Sequence, residues 1–130
     1  MQSRLFGLAA GVLMLLSCGY GSNSPYGGGG GGGGTCMPTS TKVCMIGRSF
    51  SQTNLMISAG QTVTWDNGSS EAHTVTSSST STETFDSGSV APGGTFTHMF
   101  PAAGTYHYYC QFHGIDGNPP TGMAGTITVN

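Results

Sequence analysis

Four side chains hold the softest donor chemistry in the chain: Cys110, His113 three residues later, Met123 ten residues beyond that, and His73 in an earlier segment. A thiolate, two imidazoles and a thioether form a mixed, soft set. Thiolate and imidazoles in a trigonal arrangement with a weak axial thioether make the geometry of one-electron copper sites. Zinc prefers four strong ligands, and a catalytic zinc keeps one position open. Each residue also has a plainer reading. His73 fits an ordinary surface or core histidine. Cys110 fits an inert buried thiol, or half of a disulfide with Cys36 or Cys44. Met123 fits a core filler, since methionine is common in cores. Other reactive constellations are missing from the sequence. It has no Ser/His/Asp set in motif context, no phosphate loop, no His-x-His pair and no second cysteine near Cys110. Catalysis is not expected.

The elements that must position these residues read as all β. Short runs rich in Val, Ile, Thr, Phe and Tyr fall at 42–46, 54–58, 61–66, 72–77, 84–86, 95–100, 105–110 and 125–129. No helical periodicity runs longer than about two turns. Along 61–66, Val63 and Trp65 share a face, and the run stops at Asn67-Gly68. Along 105–110, Tyr106, Tyr108 and Cys110 share a face, so Cys110 closes that strand. Seven or eight short strands at this spacing indicate an antiparallel sandwich or barrel. His98 falls on the face of Phe96 and Phe100, and His107 alternates with inward tyrosines and faces solvent. Neither is expected to bind metal. Asn67-Gly68-Ser69 matches a glycosylation sequon but reads as a turn.

The chain has 130 residues and 13.2 kDa, enough for one domain and a tail. Three Lys+Arg against five Asp+Glu give a formal charge of −2, which excludes the basic surface a nucleic-acid binder needs. The N-terminal stretch carries Arg4, then an apolar run over 5–16 that is too short to span a bilayer and suits a signal peptide. It ends in Leu15-Leu16-Ser17-Cys18, which resembles a bacterial lipobox. The expectation is a lipoprotein signal over 1–17 and a lipidated Cys18; an ordinary secretory signal is the alternative. Three acyl chains would hold firmly, because one chain alone anchors only marginally. Residues 18–35, with glycine throughout 27–34, cannot bury apolar surface and read as a flexible tether. Its typical reach is roughly 20–25 Å. The glycine run matches GxGxxG trivially, with no strand before it and no helix after it. In an oxidising compartment Cys36 and Cys44 form a disulfide by default. The alternative is a second soft Cu(I) site with Met37 and Met45.

Three motifs carry a family resemblance: WDNGSSEAHTV (65–75), APGGTFTHMFPAAGTYHYYC (91–110) and MAGTITV (123–129). They resemble the cupredoxins, above all small plastocyanin-like bacterial members, and the similarity runs through most of 42–130. The resemblance implies a Greek-key β-sandwich or barrel over 36–130 and a single type 1 copper ion. It makes His73, Cys110 and His113 the equatorial ligands and Met123 the axial one. The chain departs from the family in the segment GIDGNPPTG (114–122), which separates His113 from Met123 by more than the usual few residues and is expected to bulge outward. The implied function is a periplasmic or cell-surface electron carrier without substrate turnover. By the same resemblance electrons pass at His113, framed by Phe112, Ile115, Pro119, Pro120 and Met123, with a second route through Tyr109. Partners would be redox proteins that dock transiently on an apolar face, since charge is too scarce for strong steering. The rival function is a membrane-anchored protein that stores or delivers copper.

Overall fold

The computed structural model describes residues 35–130. The expected signal peptide, Cys18 and nearly all of the expected tether lie outside the described residues. Eight strands form in chain order: β1 Lys42–Ile46, β2 Ser49–Phe50, β3 Asn54–Ile57, β4 Thr62–Asn67, β5 Thr76–Ser77, β6 Thr95–Met99, β7 Gly104–Ile115 and β8 Thr121–Val129. They build two four-stranded sheets, β2-β1-β4-β6 and β3-β8-β7-β5. The all-β sandwich expected from the sequence is therefore present.

Alternating side chains make the core. Val63 and Trp65 from β4 face Tyr106, Tyr108 and Ile127 from β7 and β8, and all are buried. The Trp65 ring meets Tyr108 edge-on at 5.3 Å and Phe96 at 5.7 Å. Aromatic pairs of this kind contribute about 0.5–1.5 kcal/mol each beyond their area. His98 stacks on Phe85 at 4.7 Å and meets Phe100 edge-on at 4.8 Å, which confirms it as a packing residue. His107 is half-buried rather than turned to solvent, because its Nδ1 meets Thr126 Oγ1 at 2.9 Å.

Pairing differs from an all-antiparallel sandwich in two places. β1 runs parallel to β4 and β3 runs parallel to β8. The short element β2 joins β1 in a tight antiparallel pair that the sequence pattern did not single out. The run at 84–86 forms only a bridge, Thr76 to Asp86, and most of 72–77 is irregular, with His73 bridged to Val90. Side chains serve the backbone here: Ser87 Oγ accepts from Val75 N–H and Asp86 Oδ1 from Gly88 N–H, in place of ladder carbonyls.

The segment 114–122 does not bulge outward. Gly114 pairs with Gly122 and Ile115 with Thr121, so β7 and β8 continue as a hairpin. The irregularity falls just before it. Tyr109 faces Ala124 and Gly114 faces Gly122, so five steps along β7 match two along β8. Cys110 thus ends the regular ladder, although β7 itself continues. Cys110 through His113 are released from the ladder at one end of the sandwich, as a bulge does.

Candidate metal centre

The ladder break explains how two residues three apart reach one point. Cys110 Sγ lies 3.7 Å from His73 Nδ1 and 3.6 Å from His113 Nδ1, and the two Nδ1 atoms are 3.2 Å apart. A point equidistant from those three atoms lies about 2.0 Å from each, which is metal–ligand range for nitrogen and slightly short for sulfur. The donors therefore fit a copper ion in trigonal His₂Cys geometry. His73 and Cys110 are fully buried, and the His113 side chain keeps 16% of its surface exposed.

Met123 is the third residue of the return strand β8 and is buried. Its carbonyl lies against Gly114, directly after the ligand loop, so it sits at the same end of the sandwich as the other three. His73, Cys110, His113 and Met123 are positioned to bind one copper ion.

Each ligand is held by its neighbours. Thr74 N–H donates to Cys110 Sγ at 3.4 Å, while Thr74 Oγ1 accepts from Gln111 N–H at 2.9 Å. This reciprocal pair ties the His73 segment to the Cys110 segment. Ser69 Oγ lies 2.8 Å from His73 Nε2. Ser69 donates its own proton to Asn67 Oδ1 at 2.8 Å, so it accepts from His73 Nε2–H and leaves Nδ1 with a free lone pair for metal. Burial holds His73 below the usual imidazole range, which favours that neutral form.

Asn67 organises the segment. Its Nδ2 donates to the carbonyls of Glu71 and Val90 at 2.8 and 2.9 Å, and its Oδ1 accepts from Ser69 N–H and Oγ. All four hydrogen-bonding positions of the amide are filled. The sequon reading is thereby answered: the amide is buried and committed to the fold. Asn67, Ser69 and Thr74 were not singled out as site residues from the sequence. Their signal was Asn and Ser shortly before a candidate ligand, where side chains commonly bond nearby backbone.

The remaining candidates divide. Cys36 and Cys44 form a disulfide, and Cys110 is the free cysteine among the described residues. A second soft site is not assembled there, since the two sulfurs bond each other and Met45 points into the core. Phe112 and Ile115 are 55% and 70% exposed beside His113. Met123 and Pro120 are buried, so they do not frame that surface. Pro119 and Pro120 instead line a cleft with Thr53, Asn54 and Ala124. Tyr109 is half-buried and paired with Thr76.

Comparison with known proteins agrees with this geometry. The profile of copper binding proteins of the plastocyanin/azurin family matches residues 39–130. The chain is 34% identical to plastocyanin from Scenedesmus fuscus over 96 residues, covering 62% of this chain and 85% of that protein. A novel purple cupredoxin from Nitrosopumilus maritimus superposes with TM-score 0.58 and 30% identity, covering 69% of this chain and 99% of that one. A reduced amicyanin variant superposes with TM-score 0.60 at 22% identity, over 74% and 87% of the two chains, which supports the fold alone. With the trigonal donor set in place and the family profile spanning the whole sandwich, the chain is a cupredoxin, a member of the copper-binding plastocyanin/azurin family.

Proposed function

We propose that this copper electron carrier works outside the cytoplasm of a bacterium, in the periplasm or at the cell surface, held to a membrane by lipid on Cys18. The electron-carrier function rests on the family and on one observation above others: Sγ of Cys110 and two imidazole Nδ1 atoms surround a point at bonding distance from all three. Copper bound there supplies a one-electron Cu(II)/Cu(I) couple. The chain's residues do the rest. Thr74 and Ser69 fix the sulfur and the His73 ring. Burial of His73, Cys110 and Met123 excludes water. Ligands held in place change little between oxidation states, which keeps reorganisation small.

The proposed path for electrons is the exposed edge of His113, beside the apolar side chains of Phe112 and Ile115. Tyr109, bonded to Cys110 through the backbone, offers a second path toward the side of the sandwich. Partners are redox proteins that dock transiently on the apolar face. The Cys36–Cys44 disulfide supports an oxidising compartment. The storage and delivery reading loses its main support with that disulfide, which removes the two thiolates it needed.

Two measurements test the reading. Potentiometric titration of the copper-loaded full chain gives one reversible one-electron step with one copper per chain; two equivalents of copper would favour delivery. Labelled palmitate enters the wild-type chain in a bacterial host and not Cys18→Ala, and the variant leaves the membrane fraction. Equal labelling of both, or an unlabelled wild type, contradicts the anchor.

A further inference from the structure

The outer nitrogens of the two ligand histidines face different groups from one short segment. His73 Nε2 rests on Ser69 Oγ. His113 Nε2 faces Glu71 Oε2 at 3.6 Å, just beyond hydrogen-bond distance. That carboxylate is itself held. Arg48 Nε and Nη2 donate to Glu71 Oε2 and Oε1, each at 3.0 Å, in a two-pronged contact from the β1–β2 turn. The backbone of Glu71 belongs to the Asn67 knot: its carbonyl accepts from Asn67 Nδ2, and its N–H donates to Ser69 Oγ. Glu71 is therefore fixed from both ends, although its side chain is exposed.

We propose that Glu71, clamped by Arg48, is a positioning residue for His113: it holds the ring's Nε2–H outward so that Nδ1 faces the copper, and its charge favours the oxidised ion. The inference rests on the copper reading of the site. A carboxylate behind a metal-bound imidazole fixes the tautomer and raises ligand basicity. A negative charge at this range stabilises the higher metal charge more than the lower. The arrangement gives the two histidines unlike supports. Ser69 is neutral and buried, whereas Glu71 is charged and sits at the rim through which His113 meets solvent. Asp116, the other acid near the ligand loop, is turned away and accepts hydrogen bonds from Ser79 and Gly117 N–H groups.

The test uses the full chain and Glu71→Gln, with Glu83→Gln as a control that removes an acid beside His98 instead. Glu71→Gln raises the reduction potential, a threefold to tenfold shift of the copper equilibrium toward Cu(I), tenfold being about 59 mV for one electron. Glu83→Gln shifts it less than about twofold by the same conversion. In the diamagnetic Cu(I) form, nitrogen-resolved NMR shows the His113 Nε2 proton exchanging at least about tenfold faster in Glu71→Gln, with the His73 proton unchanged. A potential shift no larger than the control's, or an unchanged His113 proton, overturns the proposal. A wild-type chain that stays colourless with cupric ion contradicts the copper reading instead. The metal-free chain then decides on Glu71: Glu71→Gln and Arg48→Gln each change the His113 ring nitrogen signals, and unchanged signals overturn it.

Discussion

At the scale of single residues, the site depends on bonds one step removed from the donors. Ser69 Oγ accepts from the His73 ring inside a buried network. Ser69→Ala leaves that Nε2–H without a partner and takes one of the two bonds from the Asn67 side-chain oxygen, and the cost expected is about 1–3 kcal/mol. Denaturant unfolding of the metal-free chain measures it, and a loss below half of the lower bound speaks against the network. The rim ligand gives a second prediction. His113→Gly opens one copper position, so the visible absorption is lost and returns when imidazole is added; absorption that survives unaltered removes His113 from the ligand set. The four donors themselves were legible in the sequence because the chain has only four histidines and four cysteines and because the motifs around His73, Cys110, His113 and Met123 resemble a known family; with seven methionines present, composition alone would not single out Met123. Asn67, Ser69, Glu71 and Arg48 were not, because Asn, Ser and exposed acids are common in turns. Only the folded segment shows that Arg48 and Glu71, far apart in the chain, meet.

At the scale of elements, the break in the β7–β8 ladder turns a strand into a ligand loop. Gly114 and Gly122 face each other across it. A Cβ on Gly122 would come within 2.7 Å of the His113 carbonyl, and its φ of +76° already disfavours other residues. Gly122→Ala therefore lowers stability by about 1–3 kcal/mol and broadens the copper spectrum, read by thermal unfolding and EPR. The tip of the same hairpin is tied to the sheet side by Asp116, which accepts from Ser79 N–H at 3.1 Å. The Ser78 hydroxyl and then the Ser79 backbone N–H hold the Asp116 carboxyl below its ordinary value of 3.8. A carboxyl lowered on folding adds stability above its unfolded value, and this is lost as pH falls through the folded one. Asp116→Asn should therefore flatten the fall of melting temperature below about pH 4, and an unchanged acid limb contradicts the tie. The strands β4, β6 and the start of β7 could be read from alternation, and β1 only as a short apolar run. The hairpin could not, because GIDGNPP carries turn formers and no alternating pattern. Nor could the parallel pairings, which depend on distant strands becoming neighbours.

At the scale of the whole molecule, a small sandwich is closed at one end by the metal ligands and braced near its N-terminus by the disulfide. Closing the short loop between Cys36 and Cys44 should stabilise by about 2–3 kcal/mol, so the Cys36→Ser, Cys44→Ser double variant unfolds at correspondingly lower denaturant. Retention of full stability would show that the core alone suffices. Fold class and charge were legible early because they follow from strand patterning and composition, while the signal peptide, tether and anchor stay expectations and the labelling experiment addresses the anchor. The central claim is that one copper binds through the Cys110 sulfur. The direct measurement is a cupric titration of the full chain with Cys110 reduced, followed by visible absorption and EPR, beside Cys110→Ser. The account predicts intense visible absorption saturating at one copper per chain in the wild type and its loss in the variant. A wild type that stays colourless, or a variant that keeps the absorption, would contradict it.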